Sequence, residues 1–300
     1  MKANLPVWRS LMYVPVNVEK YVEKAHARGA DCIQLDLEDS VPAAGKDAAR
    51  RLVPAAAKRV RRGGADVVVR INSPRDLAKN DLEFSICEDV DGIAVTKAQS
   101  ADHVRTIDDL ISELEIKRGM RVGHTRLIAM IETPAAFFRM PEIAQASPRL
   151  AAMNIGGEDF ALETGMEPLE ETLLMPKQQM VFAARAAGLM PLGFIASVAG
   201  FGDWEVFRAM VRRSRKFGFM GAGCIHPGQV PIVNQEYSPS PEEVAFAQRI
   251  VEENAKHEAA GRASFALDGK RIDVPVVLRA RRLLERHAAI RAREQGTRLA

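Results

Sequence analysis

Short hydrophobic runs alternate with longer amphipathic stretches along most of the chain. Several of the runs are continuous, which is typical of parallel strands that are covered on both faces. Eight runs predict strands, at residues 9–15, 32–39, 66–72, 92–97, 126–133, 150–157, 191–197 and 222–226. Amphipathic stretches such as 45–62, 100–117 and 202–217 predict helices between them, and three glycines stand where helices should end: Gly29, Gly188 and Gly218.

This alternation predicts a closed α/β barrel. Eight strand–helix units within about 220 residues fit a (β/α)8 TIM barrel better than an open doubly wound sheet. An open sheet that binds dinucleotides usually has a glycine-rich loop after its first strand, and none follows Tyr13 here. We therefore expect residues 1–235 to form a TIM-barrel catalytic domain.

The pattern changes after His226, where prolines interrupt the chain. Helices are predicted over 242–260 and 274–295, with a loop at 262–270 between them. A barrel does not need this segment to close. We expect residues 236–300 to form a C-terminal helical extension or lid that contacts a neighbouring subunit through a hydrophobic stripe on its last helix, formed by Val276, Val277, Leu283 and Leu284.

Composition excludes several classes of function. The net charge is only +3, and two Trp and three Tyr provide no interleaved aromatic platform, so nucleic acid is not an expected partner. No run of about 18 apolar residues predicts a membrane span, and residues 1–6 lack the apolar stretch of a signal peptide. The three cysteines are scattered and indicate neither a zinc site nor a disulfide framework. We expect a cytoplasmic protein with no membrane partner.

Polar side chains stand at the ends of most predicted strands. In a TIM barrel the active site lies at the C-terminal ends of the strands, so these side chains should meet. The set comprises Glu38 and Asp39 (second strand), Arg70 (third), Lys97 (fourth), Glu132 (fifth), Glu158 and Asp159 (sixth) and His226 (eighth).

Glu132 and Asp159 follow adjacent strands and form the kind of carboxylate pair that Mg²⁺ takes, with water and substrate oxygens as its other ligands. The alternative is that both pair with Arg or Lys side chains at the barrel mouth. Before Asp159, the pair Gly156-Gly157 would let a substrate carboxylate approach backbone N–H groups closely.

Arg70 is suited to binding a carboxylate or to stabilising a developing oxyanion, and it is equally suited to a structural pairing with Glu38 or Asp39. A structural, hydrogen-bonded histidine is the favoured interpretation of His226. Lys97 as a Schiff-base lysine is a minor alternative. No GxSxG motif supports a serine nucleophile.

The chain resembles the citrate lyase beta-subunit-like family, which includes malyl-CoA and citramalyl-CoA lyases and related aldolases. The resemblance covers about residues 8–280 and keeps the order of the family's motifs. Those motifs are Arg9-Ser-Leu-Met-Tyr-Val-Pro, Leu35-Asp-Leu-Glu-Asp-Ser-Val, Lys46 with Ala49-Arg50, Val69-Arg-Ile-Asn, Ile131-Glu-Thr, Gly156-Gly-Glu-Asp-Phe and Cys224-Ile-His-Pro-Gly-Gln. The chain departs from the family at the rim that would hold CoA and the leaving acid, at Val16, Val18, Thr96 and Gly193.

The resemblance implies a TIM barrel, trimeric or a dimer of trimers, in which Glu132 and Asp159 hold Mg²⁺ and Arg70 and Glu132 contact the acid substrate. The further substrate-binding candidates are Glu38, Asp39, Gly157 and Glu158. A C-terminal segment of the family, similar to Gly269-Lys-Arg-Ile-Asp-Val-Pro here, reaches a neighbouring subunit's site. That match implies that Asp273 is the general acid/base. From the residues alone, Asp273 is equally an N-cap of the last helix.

These observations predict a Mg²⁺-dependent carbon–carbon lyase. It would cleave or form, by aldol or Claisen-type chemistry, a small hydroxy or oxo acid carried as a CoA thioester, such as malyl-, citramalyl- or citryl-CoA. One alternative is a CoA-independent oxo-acid aldolase on the same barrel, which would need the metal and Arg70 but not Asp273. The other is a catalytically silent barrel that serves as a subunit.

Overall fold

The structure is a computed structural model that describes residues 5–197 and 202–299, with side chains as far as residue 296. The first four residues, part of the segment used for the signal-peptide expectation, lie outside this range. The chain divides into two compact units, Met1–Tyr237 and Ser238–Ala300. No helix in the described ranges is long and apolar enough to cross a membrane.

Eight parallel strands form the sheet of the first unit: β1 (Ser10–Pro15), β2 (Cys32–Asp36), β3 (Asp66–Ile71), β4 (Gly92–Val95), β5 (Arg126–Ile131), β6 (Leu150–Ile155), β7 (Met190–Pro191) and β8 (Ala222–Cys224). Each strand from β1 to β6 pairs with its successor, and β8 pairs with β1. A parallel bridge between Leu192 and Gly221 joins the two edges. The predicted TIM barrel is confirmed.

The described residues of this unit form ten α-helices: α1 (Glu19–Ala25), α2 (Lys46–Val60), α3 (Arg75–Ser85), α4 (Ala101–Lys117), α5 (Pro134–Phe137), α6 (Met140–Ile143), α7 (Gly157–Thr164), α8 (Glu170–Ala186), α9 (Trp204–Lys216) and α10 (Gln229–Glu236). Gly188 and Gly218 follow α8 and α9 with φ of +72° and +102°. Glycine adopts this left-handed backbone without strain, so the predicted helix ends are confirmed.

Two hydrophobic clusters show which way the strand residues point. Cys32 of β2 and Val68 of β3 belong to the smaller cluster, whereas their neighbours Ile33 and Val69 belong to the larger one, which also holds helix residues. The smaller cluster therefore fills the barrel interior. Because successive strand residues alternate between faces, the same alternation carries Asp36 and Arg70 to the interior side of the barrel mouth.

Most strands end before the residues at which the sequence pattern predicted their ends. The predicted strand 32–39 ends at Asp36, and the predicted strand 191–197 is reduced to Met190–Pro191. After Pro191, which has no N–H to donate to a ladder, Gly193 has a φ of +131°. The overrun arises where hydrophobic residues continue past the end of the ladder, as at Leu37, which is buried beyond β2.

The second unit contains two helices, α11 (Pro241–Ala259) and α12 (Val274–Leu299), and a hairpin of β9 (Phe265–Leu267) and β10 (Lys270–Ile272). The prediction of a loop at 262–270 was therefore wrong. Asp268 and Gly269 connect the two strands with φ of +50° and +73°, which is the conformation of a two-residue hairpin turn. Arg249 holds the turn through two hydrogen bonds of 2.9 Å to the Asp268 carboxylate.

The hydrophobic stripe predicted on the last helix packs inside this unit. Val277 is 5% exposed and belongs to a cluster with Ile250 of α11 and Ile272 of β10. Val276, Leu283 and Leu284 pack against the same cluster. Its own unit thus covers Val277 and part of the other three side chains, and docking of the stripe on a neighbouring subunit stays a prediction.

Candidate active site

A cavity of about 490 Å³ opens at the C-terminal ends of the barrel strands. Eight of the residues singled out in the sequence line it: Asp39, Arg70, Glu132, Gly156, Gly157, Glu158, Asp159 and Gly193. Glu38 contacts two of the surrounding cations. The strand ends of the first unit thus bring together candidate residues that follow five different predicted strands, the second to the sixth.

Arg70 lies at the centre of a dense hydrogen-bond network. Its Nε and Nη2 each donate to one oxygen of Asp36 at 2.7 Å, a bidentate arrangement. Its Nη1 lies 2.8 Å from Glu38 and 3.1 Å from Asp39. The guanidinium also lies 5.0 Å from the centre of the Tyr13 ring. The structural pairing of Arg70 with Glu38 and Asp39 is present, and its principal partner is Asp36.

Sequence reasoning missed the roles of Asp36 and Tyr13. Burial alone would raise the pKa of Asp36, but the hydrogen bonds and charge of Arg70 lower it below its ordinary value. Burial raises the pKa of Tyr13 to about 12, so its hydroxyl stays protonated. The period-two alternation could have found both residues, because Tyr13 follows Leu11 and Asp36 follows Cys32 on the interior face.

Glu132 is a buried carboxyl group beside other negative charges. Its side chain is almost fully inaccessible, with 2% exposure of the residue, and its Oε2 accepts the backbone N–H of Lys97 at 2.7 Å. Burial raises the pKa of Glu132 to about 8, the N–H of Lys97 opposes that change, and the charges of Asp159 and Glu38 add to it. The residue that donates this N–H, Lys97, has a φ of +47°. This backbone conformation is uncommon for residues other than glycine.

Gly156 provides the space that the Glu132 side chain occupies. A Cβ at this position would lie 2.6 Å from Glu132 Oε1 and 2.7 Å from its Cγ. Any side chain at residue 156 would therefore push the carboxyl group out of its place. This is a steric requirement, since the φ of Gly156 is an ordinary −71°.

The side chain of Lys97 lies between two carboxylates. Its Nζ is 3.4 Å from Glu38 and 3.3 Å from Asp159. Burial alone would lower the pKa of Lys97, but these two charges raise it. The alternative of a salt bridge at the barrel mouth is thus present for Asp159, whereas Glu132 accepts a backbone N–H.

The donor set fits Mg²⁺ better than zinc. The described residues contain no cluster of three His, Cys, Asp or Glu side chains arranged to hold a metal ion. Mg²⁺ typically takes one or two protein carboxylates and completes its shell with water and substrate oxygens. The carboxyl group of Glu132 is buried, has a raised pKa and lies in space that a Cβ at Gly156 would fill. A bound cation would stabilise this group in its ionised form.

Two further polar groups at the cavity were not found from the sequence. Lys177 of α8 is 4% exposed, and its Nζ donates to the carbonyl of Ala196 at 2.7 Å. Burial lowers the pKa of Lys177 to about 7. The Ser197 hydroxyl donates to Glu158. A signal for Lys177 existed, because it occupies the hydrophobic stripe of its helix between Leu173 and Met180.

The remaining candidates are His226 and Asp273. His226 Nδ1 accepts the Gly228 N–H at 3.0 Å, and its ring packs 5.7 Å from the Trp204 ring, as expected for a structural histidine. Asp273 lies in the second unit, immediately before α12. Its backbone carbonyl accepts the N–H groups of Val276 and Val277, at 3.0 Å each.

At the rim, Thr96 and Gly193 have structural contacts of their own. The Thr96 hydroxyl donates to the carbonyl of Ile71 at 2.7 Å, and the Gly193 carbonyl accepts the hydroxyl of Tyr237 at 2.6 Å. Val16 is buried in the hydrophobic core, and Val18 precedes α1. The four residues at which the chain departs from the family thus belong to the structure of the barrel itself.

Comparisons with known proteins agree with this architecture. The chain is 33% identical to the citrate lyase subunit beta of Leuconostoc mesenteroides subsp. cremoris, over 92% of each chain. It is 32% identical to a (3S)-malyl-CoA thioesterase of Cereibacter sphaeroides, over 95% of this chain and 96% of that one. Protein CitE of Mycobacterium tuberculosis, solved with magnesium, acetoacetate and coenzyme A, superposes with a TM-score of 0.74 at 27% identity, covering 96% of this chain and 100% of that one.

A family match spans the whole barrel. Residues 9–227 match the HpcH/HpaI aldolase/citrate lyase family, which is more than half of the 300-residue chain. The match covers every strand that contributes to the cavity and confirms the predicted carbon–carbon lyase class. By its strands, its strand-end residues and its relatives, this chain belongs to the HpcH/HpaI aldolase/citrate lyase family.

Proposed function

We propose that this protein is a Mg²⁺-dependent lyase that cleaves or forms a carbon–carbon bond in a small hydroxy acid carried as a CoA thioester. The observation that carries the proposal is the placement of Glu132 and Asp159 in one cavity with Arg70. The names of the relatives support it, since they refer to citrate, to malyl-CoA and, in the CitE structure, to magnesium and coenzyme A.

Glu132 and Asp159 are the residues that would hold Mg²⁺. The bound ion would supply Lewis acidity at the oxygen of the acid substrate, where charge develops as the bond breaks. Lys97 positions Glu132 through its backbone N–H. Gly156 keeps the space for the carboxyl group.

Arg70 would stabilise negative charge on the substrate. Asp36 fixes the plane of its guanidinium through two N–H groups, so the group is held in place before the substrate arrives. A preorganised donor of this kind stabilises a transition state without reorganising. Glu38, Asp39, Gly157 and Glu158 would form the surrounding substrate-binding wall.

A panel assay tests the activity and the alternatives together. The protein is incubated with Mg²⁺ and malyl-, methylmalyl-, citramalyl- or citryl-CoA, and the products are identified by mass spectrometry. A shorter acyl-CoA with an oxo acid identifies the lyase, whereas free CoA with the intact hydroxy acid identifies a thioesterase. Turnover of free hydroxy and oxo acids, supplied in parallel without CoA, identifies a CoA-independent aldolase. No turnover in either set indicates a silent subunit. Glu132→Gln should abolish the activity.

Asp273 is proposed as the general acid/base that exchanges a proton with the acyl carbon. A positioned acid/base contributes about 10²–10⁴-fold, so Asp273→Asn should lower turnover by about that factor. Asn caps a helix about as well as Asp, so the melting temperature should not change. A stable variant with full activity would reject Asp273 as the base and would favour the CoA-independent aldolase.

We further propose that the protein is cytoplasmic and forms a homotrimer or hexamer in which Asp273 acts in a neighbouring subunit's site. Mixing inactive Glu132→Gln and Asp273→Asn chains and allowing subunits to exchange should then restore part of the activity. A monomer by light scattering at micromolar concentration, or no recovery from a mixed oligomer, would contradict this arrangement.

A further inference from the structure

The cavity contains a buried lysine, Lys177, that the proposed chemistry does not use. Lys177 lies on the inward stripe of α8, between the buried side chains of Leu173 and Val181. The residue is 4% exposed, and its side chain forms part of the cavity lining. Its Nζ donates to the Ala196 carbonyl at 2.7 Å, which fixes the amino group at the wall of the cavity.

Gly157 leaves this amino group open to the cavity. A Cβ at residue 157 would lie 3.3 Å from Lys177 Nζ and 3.2 Å from Leu173 Cδ1. With a side chain at that position, the amino group would be covered. A small ligand that packs against the Gly157 backbone therefore comes within reach of Nζ.

The other two cations of the site are already paired with carboxylates. Arg70 is paired with Asp36 and Glu38, and Lys97 lies between Glu38 and Asp159. Among the described residues, no carboxylate lies within ion-pair distance of Lys177; its hydrogen bond is to a neutral carbonyl. A buried charge is costly unless an opposite charge accompanies it. Glu158 acts on the Lys177 charge from beyond that distance, so a ligand carboxylate is the group that can pair with the ammonium directly.

We propose that Lys177 is a substrate-binding residue whose ammonium group binds the carboxylate of the acid substrate against Gly157. This inference rests on the proposed function for the identity of the ligand, a 2-oxo or 2-hydroxy carboxylate. The loop after β7 then has a specific task, since the Ala196 carbonyl holds the ammonium group in place. Because the contact is charge-assisted, the site discriminates a carboxylate from a neutral group of the same shape.

Calorimetry with two small ligands tests the role of Lys177. Pyruvate carries the carboxylate, and pyruvamide replaces it with a neutral amide of nearly the same shape. A hydrogen bond to a charged group contributes enough that Lys177→Met should weaken pyruvate binding by about 10- to 100-fold in the presence of Mg²⁺. Pyruvamide binding should change little, and Lys177→Arg should keep the preference for pyruvate. Lys79→Met, at an exposed lysine of α3, is the matched control and should behave as the wild type.

A second variant, Ser197→Ala, tests whether Lys177 acts through its charge or only by ordering the loop after β7. Ser197 joins the same loop to Glu158, so a role limited to ordering the loop predicts equal losses of both ligands in Lys177→Met and Ser197→Ala. Such equal losses would overturn the proposal, as would pyruvate binding that is the same in Lys177→Met and wild type. A wild type that binds no carboxylate would also overturn it. If pyruvate binding depends on Lys177 but no CoA thioester is cleaved, the proposed lyase function fails and the carboxylate subsite stands.

Discussion

Replacing Glu132 with Gln removes a carboxyl group whose pKa burial raises from 4.5 to about 8. Between these two values the folded chain keeps a proton that the unfolded chain has released. The contribution of Glu132 to stability is therefore fully present below pH 4.5 and is lost as the pH rises through 8. Above pH 8, an ionised Glu132 is buried next to Asp159 and Glu38 without a cation of its own.

The size of this effect follows from the difference between the folded and unfolded pKa. It corresponds to about 3–5 kcal/mol in the free energy of unfolding. For a chain of this length that is about 5–15 °C in melting temperature. Gln carries no charge, so Glu132→Gln should be more stable than the wild type at pH 8.5 in EDTA and should lose this advantage at pH 5.

Thermal unfolding at both pH values measures the effect. Glu142→Gln, at an exposed glutamate of α6, serves as the control and should follow the wild type. Mg²⁺ requires the ionised carboxylate, so its affinity for the wild type should rise by up to about tenfold per pH unit below pH 8. The same pH dependence of stability in the wild type and Glu132→Gln would refute the reasoning, as would a Mg²⁺ affinity that does not change between pH 6.5 and 8.

Three further predictions concern neighbouring residues. Arg70→Met should lower the free energy of unfolding by about 3–5 kcal/mol in urea titrations, because it leaves the buried Asp36 carboxylate without its cation. A smaller loss for Arg70→Lys would show that a positive charge alone recovers part of the bidentate contact. Gly156→Ala should weaken Mg²⁺ binding at least about tenfold by calorimetry, because its Cβ displaces Glu132, whereas Gly45→Ala, whose Cβ has no neighbour closer than 3.7 Å, should not. Burial lowers the pKa of Lys177 from 10.5 to about 7. Between pH 7 and 10 the unfolded chain therefore keeps a proton that the folded chain has released, so the stability of the ligand-free wild type should rise with pH. Lys177→Met should raise the melting temperature at pH 7 and remove this pH dependence.

The barrel could be predicted from the sequence because its strands are buried on both faces. Continuous hydrophobic runs then mark each strand, and the eightfold alternation with helices identifies the closed form. The strand ends could not be predicted, since residues such as Leu37 remain hydrophobic after the ladder has ended. The hydrophobicity of a residue indicates whether it is buried. Where a strand ends is decided by its hydrogen bonds to the neighbouring strand, which hydrophobicity does not show.

The hairpin of the second unit was missed although its signal was present. Asp268-Gly269 is a sequence that favours a two-residue turn with positive φ at both positions. The flanking segments are short and half-exposed, with patterns too brief to indicate strands. The hydrophobic stripe on α12 shows a different limit of the sequence. A hydrophobic helix face shows that something covers it, and in this chain Ile250 and Ile272 do so.

In the active site, the positions of the candidates could be predicted, but their partners could not. Strand-end logic placed Arg70, Glu132 and Asp159 in one cavity. The pairing of Arg70 with Asp36 depends on the register of β2 against β3, where these two residues stand side by side. The contact of Lys97 with Glu132 depends on a left-handed backbone at Lys97, and no rule of residue preference predicts this for lysine.

The distribution of charge links the metal and the acid substrate. On one wall of the cavity Glu38 and Asp159 share the side chain of Lys97, and the negative charges of both help to keep Glu132 protonated. On another wall Lys177 lies buried without a carboxylate partner among the described residues. A divalent cation relieves the first imbalance and a carboxylate relieves the second. Because oppositely charged ligands in one cavity also attract each other, Mg²⁺ should increase the affinity for the carboxylate, and the carboxylate should increase the affinity for Mg²⁺ by the same factor.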